Sequence, residues 1–275
     1  MIANLVYHVK FPKLGISFNV NPMAFSFGAI SIKWYGIIIA TGFLAGFIYV
    51  ISKSKFWGLS KEKLYDIVFV SSIMAIIFAR IYYVLFFPGG YYKLYPEKIF
   101  AISEGGIAIY GAIIGGIIGV TIMCKILRQK LLTVLDLFSI GLSIGQCIGR
   151  WGNFANQEAF GSKTNAWWGM LSEGTGNVAV HPCFLYESLG CFMIFLILHF
   201  SSKKLKNVPG MTFTLYTCLY SVIRAAIEDL RTDSLIIPGT NLKVSLVLAV
   251  LLFFLSCIVF LIKIIEDNKS YRHNN

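Results

Sequence analysis

The sequence predicts an all-α integral membrane protein with seven transmembrane helices, an N-terminus outside the cytoplasm and a cytoplasmic C-terminus. Hydrophobic residues make up 57% of the 275 residues and charged residues only 13%, about half the share found in soluble domains. Long apolar runs recur along the chain, and a helix needs about 20 such residues to cross a bilayer. Basic residues accumulate in the turns at alternate ends of these runs. These three observations indicate a multi-pass protein of the cell membrane.

The seven predicted spans follow one another without an evident internal repeat. They cover 34–52, 64–86, 105–127, 132–150, 184–200, 211–228 and 243–264. In the third span, Gly111, Gly115 and Gly119 recur at the four-residue spacing that lets two helices approach closely. We therefore expect this span to pack tightly against a neighbouring helix.

The orientation follows from where lysine and arginine accumulate. Thirteen of them fall on one side, in three tight turns and the C-terminal tail: Lys53, Lys55, Lys61, Lys63, Lys125, Arg128, Lys130, Lys203, Lys204, Lys206, Lys263, Lys269 and Arg272. Cytoplasmic loops carry such an excess, so this side faces the cytoplasm and the long segments face outward. We expect a single membrane domain, 1–275, with an external N-terminal arm, 1–33, and an external loop segment, 151–183.

Composition also argues against several function classes. The net charge of +11 would suit nucleic acid, but the lysines border apolar runs, so we expect a lipid bilayer and no nucleic acid as partner. The six cysteines form no CxxC pair, and no grouping of His, Cys and Asp has the spacing of metal ligands. We expect neither a metal nor a cofactor.

Three arginines lie within predicted spans or at their ends. Arg80, Arg150 and Arg224 all fall toward the outer end of their helices in the orientation above. A charged side chain near the bilayer centre costs at least about 2.5 kcal/mol, so it faces a partner or a cavity. Three arginines at one level predict an excess of positive charge. The anion available at that depth is a phospholipid phosphate, which suits the planar guanidinium fork.

The sixth span carries a polar stripe. Tyr220, Arg224 and Glu228 are spaced four residues apart and so share one helix face, which Arg231 extends into the loop. Two functions other than catalysis are compatible with these residues: a transporter or channel for an anion, and a phospholipid-binding structural protein. The cytoplasmic halves of the spans lack matching charges, which argues against a path across the membrane.

The segment GRWGNFANQEAFG, 149–161, gathers polar residues directly after the fourth span. Arg150 provides a permanently charged fork that can bind phosphate through two hydrogen bonds. We expect Asn153 and Asn156 either to hydrogen-bond ester or glycerol oxygens or to cap the loop, and Glu158 to orient Arg150. The glycines of the segment allow a sharp turn at the membrane surface.

This segment resembles the signature of the bacterial prolipoprotein diacylglyceryl transferases, G-R-x-G-N-F-x-N-x-E-x-x-G, at every fixed position. Further segments resemble the family in order along almost the whole chain: SIKWYG, ARIYYVLF, EGGIAIYGAIIGG, HPCFLYES and LYSVIRAAIEDLR. The resemblance implies a seven-helix enzyme that transfers the diacylglyceryl group of phosphatidylglycerol to the lipobox cysteine of a prelipoprotein signal peptide. The products would be a thioether-linked diacylglyceryl protein and glycerol phosphate, in the first step of lipoprotein maturation.

The resemblance also implies site residues. The matching positions are Arg150, Asn153, Glu158 and Gly161 in the signature, the later Arg224 and Glu228, and the tyrosines Tyr35 and Tyr220. We assign catalysis to Arg150, Arg224, Glu228 and Tyr110. We assign phospholipid binding to Arg150, Asn153, Asn156, Glu158, Gly161, Tyr35, Arg80 and Tyr220. Arg150 and Arg224 would clamp the phosphate while Glu158 and Glu228 hold them in place.

The implied chemistry needs a thiolate and a neutralised leaving group. A free thiol with a pKa of about 8.5 is only a few per cent thiolate at neutral pH, and nearby arginines raise that fraction. They also stabilise charge on the departing phosphate. Some family members carry a histidine base where this chain has Tyr110, and some carry glutamine where it has Phe184. Three proton acceptors therefore stay open: Tyr110, His181 and the lipid phosphate itself.

Overall fold

The computed structural model describes residues 6–27, 30–101, 105–237 and 239–273. This part of the chain is mostly helical. Its α-helices are α1 Trp34–Lys53, α2 Lys61–Phe86, α3 Tyr91–Leu94, α4 Ile109–Ile126, α5 Leu131–Asn156, α6 Cys183–Leu205, α7 Met211–Glu228 and α8 Val244–His273. Six of them, α1, α2, α4, α5, α6 and α8, are long and apolar enough to cross a membrane. The protein is therefore a multi-pass membrane protein.

The predicted span 211–228 is α7, with the same bounds, but it is not among the six most apolar helices. Its threonines, its tyrosines and the pair Arg224 and Glu228 lower its mean hydropathy. Buried positions of α7 include Thr212 and Tyr216 as well as Glu228. Polar side chains of this helix therefore face other parts of the protein.

The N-terminal arm corrects the all-α prediction, because it folds into two antiparallel β-hairpins. β1 (Tyr7–Phe11) pairs with β2 (Ile16–Val20), and β3 (Met23–Phe27) pairs with β4 (Ile30–Lys33). β-Branched and aromatic residues are frequent in these short segments and favour strands. The first hairpin turns at Gly15, whose φ of 66° is readily adopted by glycine.

The chain divides into a small unit, residues 51–135, and a large unit, residues 1–50 and 136–275. The small unit is built on the packing of α2 against α4. A Cβ atom added to any of the three regularly spaced glycines of α4 would lie 2.3 to 2.7 Å from a main-chain atom of α2. No side chain fits there, so the close packing predicted from the glycine spacing is confirmed.

In the large unit, α1 crosses α5 at two pairs of glycines. A Cβ atom on Gly42 would lie 2.8 Å from the carbonyl oxygen of Gly145, and one on Gly46 would lie 2.5 Å from that of Gly141. α7 packs against both α6 and α8. These contacts bring together the helices that carry most of the predicted site residues.

Charged side chains fix both ends of α7. At its start, the buried carboxylate of Asp136 accepts hydrogen bonds from the backbone N–H of Gly210 at 2.6 Å and of Phe213 at 2.8 Å. At its end, Lys243 Nζ donates to the carbonyl of Glu228 at 2.6 Å. An anion at the N-terminus and a cation at the C-terminus both complement the helix dipole. α7 is thereby held in the position that presents its polar stripe.

The first hairpin packs on the segment that connects α5 with α6. The backbone N–H of Lys10 donates to the carbonyl of Leu171, and the N–H of Leu171 donates to the carbonyl of Lys10, each at 2.8 Å. A buried apolar cluster joins Val9 of the hairpin to Met170 and Val180 of this segment and to Phe184 at the start of α6. The hairpin is thus tied to the residues that follow the signature.

Candidate active site

The helix α5 continues six residues beyond the predicted end of the fourth span, to Asn156. The predicted loop segment 151–183 therefore begins inside a helix. The chain turns where Gln157 and Ala159 adopt φ values of 52° and 56°. This left-handed conformation costs about 1–2 kcal/mol for a residue with a Cβ atom. Arg150 and both asparagines of the signature consequently lie on the last two turns of α5.

Three arginines meet at one buried carboxylate, that of Glu187 on α6, whose side chain is 1% exposed. Its Oε2 lies 3.0 Å from Nη1 of Arg150 and 3.6 Å from Nη1 of Arg231. Its Oε1 lies 3.0 Å from Nη1 of Arg224. The arginines belong to α5, α7 and the turn after α7. One carboxylate therefore joins three separate elements of the large unit.

Two of these arginines have a further partner on α7. Nη2 of Arg224 contacts the carboxylate of Glu228 one turn later, as their spacing predicts. Arg150 also lies close enough to the hydroxyl of Tyr220 to interact with it. Glu228 is fully buried, and its Oε1 has no hydrogen-bond partner among the residues the structure describes. An unpaired buried acceptor costs about 1–3 kcal/mol, so this oxygen is an unfavourable feature of the cluster as it stands.

The cluster is charge-balanced, which corrects the expectation of excess positive charge. Its three guanidinium groups face three carboxylates: those of Glu187, Glu228 and Asp233, the last bound by Nη2 of Arg231 at 2.7 Å. Burial lowers the pKa of Arg231, but the hydrogen bond and charge of Asp233 and the charge of Glu187 raise it above its ordinary value. What the site offers an anion is therefore directed N–H donors rather than net charge.

The two signature asparagines bind Glu158. Asn153 Nδ2 donates to one oxygen of that carboxylate at 3.1 Å, and Asn156 Nδ2 donates to the other at 3.4 Å. We expected Glu158 to orient Arg150, whereas the carboxylate that does so is Glu187. The C-terminal end of α5 thus carries a second, separate hydrogen-bonded group beside the arginine cluster.

Tyr35 and Gly161 take part in close packing around the signature. A Cβ atom on Gly152 would lie 3.0 Å from Cδ2 of Tyr35, so the tyrosine ring covers the backbone of α5. A Cβ atom on Gly161 would lie 2.8 Å from Sγ of Cys183 and 2.8 Å from Cβ of His181. The N–H of Gly161 also donates to the carbonyl of His181 at 2.9 Å. A side chain at Gly161 would force a neighbour to shift, and one at Gly152 would crowd the ring of Tyr35.

Arg80 lies in the small unit, where backbone carbonyls surround its guanidinium. Its Nε, Nη1 and Nη2 atoms donate to five carbonyl oxygens at 2.6 to 3.5 Å, those of Lys98, Ile99, Ala101, Gly105 and Gly106. A guanidinium has five N–H groups, so all are occupied. Its assignment to phospholipid binding remains a prediction, and this geometry counts against it.

The two protein candidates for the proton acceptor lie in different units. Tyr110 is the second residue of α4 in the small unit, with its ring centroid 6.2 Å from that of Tyr82. In the large unit, Nδ1 of His181 lies 3.0 Å from the hydroxyl of Tyr186, which also accepts a hydrogen bond from Trp168 Nε1 at 2.5 Å. Both catalytic roles remain predictions.

Sequence reasoning assigned no role to Glu187 and treated Arg231 only as an extension of the stripe. A glutamate in an apolar span carries its own signal, because a buried carboxylate requires a positively charged partner. Linear spacing does not tell which arginines it meets.

The buried side chain of Gln157 was also missed. It donates to the carbonyl of Phe154 and accepts from Oγ of Ser172, each at 2.7 Å, and these two bonds anchor the turn after α5.

Comparison with known proteins decides the family. The family model of prolipoprotein diacylglyceryl transferase matches residues 22–262. The chain belongs to this family. The chain is 40% identical to the phosphatidylglycerol–prolipoprotein diacylglyceryl transferase of Finegoldia magna, over 84% of this chain and 91% of that protein. It is also 40% identical to the protein of the same name from Staphylococcus haemolyticus, over 92% of this chain and 93% of that protein. The Clostridioides difficile protein of the same name is 41% identical over 78% of this chain and 85% of its own length.

Membership of this family confirms the resemblance recognised in the signature. The chain is a transferase, an enzyme of lipoprotein biosynthesis that resides in the bacterial cell membrane. The region matched by the family model includes the signature, Glu187 and all three arginines around it. The arginine cluster therefore lies within the part of the chain that matches the family.

Proposed function

We propose that this enzyme moves the diacylglyceryl group of phosphatidylglycerol to the lipobox cysteine thiol of a prelipoprotein. The observation that carries the proposal is the meeting of Arg150, Arg224 and Arg231 at Glu187. Guanidinium groups held by a buried carboxylate offer N–H donors that need not reorganise when phosphate charge develops. The names of the relatives supply the same two substrates.

The open sides of Arg150 and Arg224 form the phosphate clamp. Their side chains are 22% and 16% exposed, so the contacts with Glu187 do not close off either side chain completely. Arginine binds phosphate through two parallel N–H groups, which fixes orientation as well as position. Tyr220 adds a hydroxyl at the same clamp, since it already contacts Arg150.

The reaction is alkylation of sulfur. The thiolate attacks the glycerol carbon that bears the phosphate, a C–S bond forms, and the C–O bond breaks with its electron pair going to the phosphate oxygen. Glycerol phosphate leaves, and the thiol proton ends on that phosphate, directly or through a protein base. The clamp stabilises the charge that grows on the leaving oxygen, and it holds the carbon within reach of the sulfur.

We propose Tyr110 as the protein base. A Tyr110→Phe variant keeps the ring and removes the hydroxyl, so kcat should fall. Unchanged turnover would leave the lipid phosphate or His181 as the acceptor. A His181→Gln variant separates these two, because it retains hydrogen bonding but cannot gain a proton.

We also propose that α7 is a seventh span and that the arginine cluster faces the outside of the cell. Eighteen residues of helix are about 27 Å long, close to the hydrocarbon thickness of a bilayer. Glu187 near the start of α6 contacts Arg150 near the end of α5 and Arg224 near the end of α7. The three helices therefore alternate in direction, as consecutive spans do. Alkaline phosphatase fused after Asn165 should be active, and fused after Lys206 it should be inactive.

The proposed function is tested with the purified protein, phosphatidylglycerol vesicles and a peptide that contains the lipobox cysteine. Wild-type protein should add the mass of one diacylglyceryl group to that cysteine. Arg150→Lys keeps the charge but loses the planar fork, so activity should fall about 10²–10³-fold, as when a transition-state donor is removed. Arg128→Lys, at an exposed turn, is the matched control and should leave activity unchanged. Lipid binding without transfer by the wild type would favour a structural lipid-binding protein.

A further inference from the structure

A cavity of about 260 Å³ opens where the first hairpin meets the start of α1 and the end of α5. Its lining is Asn19, Val20, Asn21, Trp34, Ile38, Trp151, Phe154 and Ala155. Six of these side chains are apolar, two carry carboxamides, and none is charged. We propose that this cavity binds the apolar residues next to the acceptor cysteine of the prelipoprotein, and so is the peptide subsite. The proposal rests on the proposed function, since it supplies the second substrate of that reaction.

The wall of the cavity is preformed. Trp151 is 43% exposed, yet its Nε1 donates to Oγ of Ser188 at 3.1 Å. The other faces of its indole pack against Phe154 and Phe184, with ring centroids 5.9 and 5.4 Å away. Trp34 is 45% exposed on the same cavity. An indole ring that is already held in place, as Trp151 is, binds an apolar ligand without a large ordering cost.

The lining of the cavity carries no charged side chain, which argues against a phosphate as its ligand. The position of the cavity along α5 argues against the acyl chains of the lipid as its ligand. Trp151 and Ala155 lie beyond Arg150 toward the end of the helix, by up to about 7.5 Å at 1.5 Å per residue. If Arg150 binds the lipid phosphate, the acyl chains extend the opposite way, toward the bilayer centre. The cavity therefore lies on the headgroup side of the phosphate and not beside the acyl chains.

The chemistry of the lining favours a peptide over the glycerol headgroup. Signal peptides have an apolar region followed by small residues at the processing site, which suits an uncharged, aromatic-walled cavity. The carboxamide of Asn19 has no hydrogen-bond partner in the described chain, and that of Asn21 uses only its oxygen, which accepts from Met23 N–H at 2.8 Å. These free amide donors can meet peptide carbonyls. The volume is below the roughly 300–1,000 Å³ of sites for drug-sized ligands, so it takes one or two side chains.

Filling the cavity tests the proposal. Ile38→Trp should raise the KM for the peptide about tenfold, because even one methylene misfit in an apolar pocket costs about tenfold or more. The KM for phosphatidylglycerol and kcat at saturating peptide should stay within about twofold of wild type. Ile48→Trp on the same helix is the control, since Ile48 is 64% exposed. A rise in the phosphatidylglycerol KM alone would assign the cavity to the lipid headgroup, and no change in either KM would also overturn the proposal.

A binding measurement separates this proposal from the reaction itself. A lipobox peptide with photoreactive leucine beside the cysteine is irradiated with wild-type protein and with Arg150→Ala, and the adducts are mapped by mass spectrometry. Adducts on Trp34, Ile38 or Trp151 in both proteins support the subsite. They would do so even if no diacylglyceryl transfer were detected, in which case only the proposed function would fail. Adducts elsewhere on the chain would refute the subsite.

Discussion

Replacing Glu187 with glutamine isolates the role of the buried carboxylate, because the two side chains have nearly the same shape. The carboxylate lies 3.0 Å from Arg150 and from Arg224, with Arg231 at 3.6 Å. Glutamine keeps one acceptor oxygen and turns an NH₂ group toward a guanidinium, so that donors face donors. Removing one partner of a buried ion pair costs about 3–5 kcal/mol. The cluster would also change from charge-balanced to a net charge of +1.

The effect on catalysis should exceed the effect on lipid binding. Without the carboxylate, Arg150 loses its ion-pair partner and moves from its position in the clamp. A displacement of about 1 Å at a reacting centre costs about 10²-fold in rate. The added positive charge favours a phosphate anion. We therefore expect Glu187→Gln to lower kcat about 100-fold while the KM for phosphatidylglycerol stays equal or decreases.

Steady-state transfer to the lipobox peptide, with each substrate varied in turn, measures both constants. Asp233→Asn is the matched control, because Asp233 also pairs with Arg231 but its side chain is 47% exposed. Exposed pairs contribute about 0.2–1 kcal/mol, so this variant should lose less than about fivefold. Thermal unfolding of both variants separates loss of the fold from loss of positioning. A folded Glu187→Gln enzyme with wild-type kcat would refute the view that this carboxylate positions the arginines.

Three further substitutions test the surroundings of the site. Gly161→Ala forces a methyl group into contacts of 2.8 Å and should cost about 1–3 kcal/mol in thermal unfolding, whereas Gly36→Ala, with open space around it, should be neutral. Asp136→Asn keeps one of the two acceptor oxygens at the start of α7, so it should cost about 0.5–2 kcal/mol and lower activity. The backbone N–H of Glu173 and then His8 hold the pKa of Glu173 below its ordinary value. The ionised Glu173 therefore stabilises the first hairpin at a pH above the ordinary pKa of glutamate, and this stabilisation is lost as the pH falls through the lowered pKa. Proteolysis of the hairpin should become faster over that acid range in the wild type, and Glu173→Gln should remove this dependence on pH.

The long helices could be predicted because the thickness of a bilayer sets the length of each apolar run, and such runs are visible in the sequence. Each predicted span falls on a helix, including α7, whose bounds match 211–228. The end of α5 was placed too early at residue 150, because the polar signature was interpreted as a loop. A helix continues through polar residues when tertiary contacts support it, as Tyr35 does against Gly152. The hairpins were missed because strands of four or five residues are too short to stand out in the sequence as the apolar runs do.

The candidate site was predictable in composition but not in pairing. Spacing along one helix revealed Arg224 with Glu228, because residues four apart share a face. The partner of Arg150 lies on another helix, 37 residues away at Glu187, and no local pattern specifies that contact. Counting arginines alone therefore predicted excess charge, whereas the folded chain supplies carboxylates for Arg150 and Arg224 and backbone carbonyls for Arg80.

Charge balance has a consequence for turnover on the proposed function. Phosphatidylglycerol brings one negative charge to a site whose three guanidinium groups are already matched by Glu187, Glu228 and Asp233. The product is a phosphate monoester, whose second pKa is about 6, so near neutral pH it carries more negative charge than the lipid did. A strongly positive site would hold that product more tightly than the substrate. A neutral site with fixed N–H donors stabilises charge as it moves from sulfur to oxygen, and then releases the dianion because no net charge retains it.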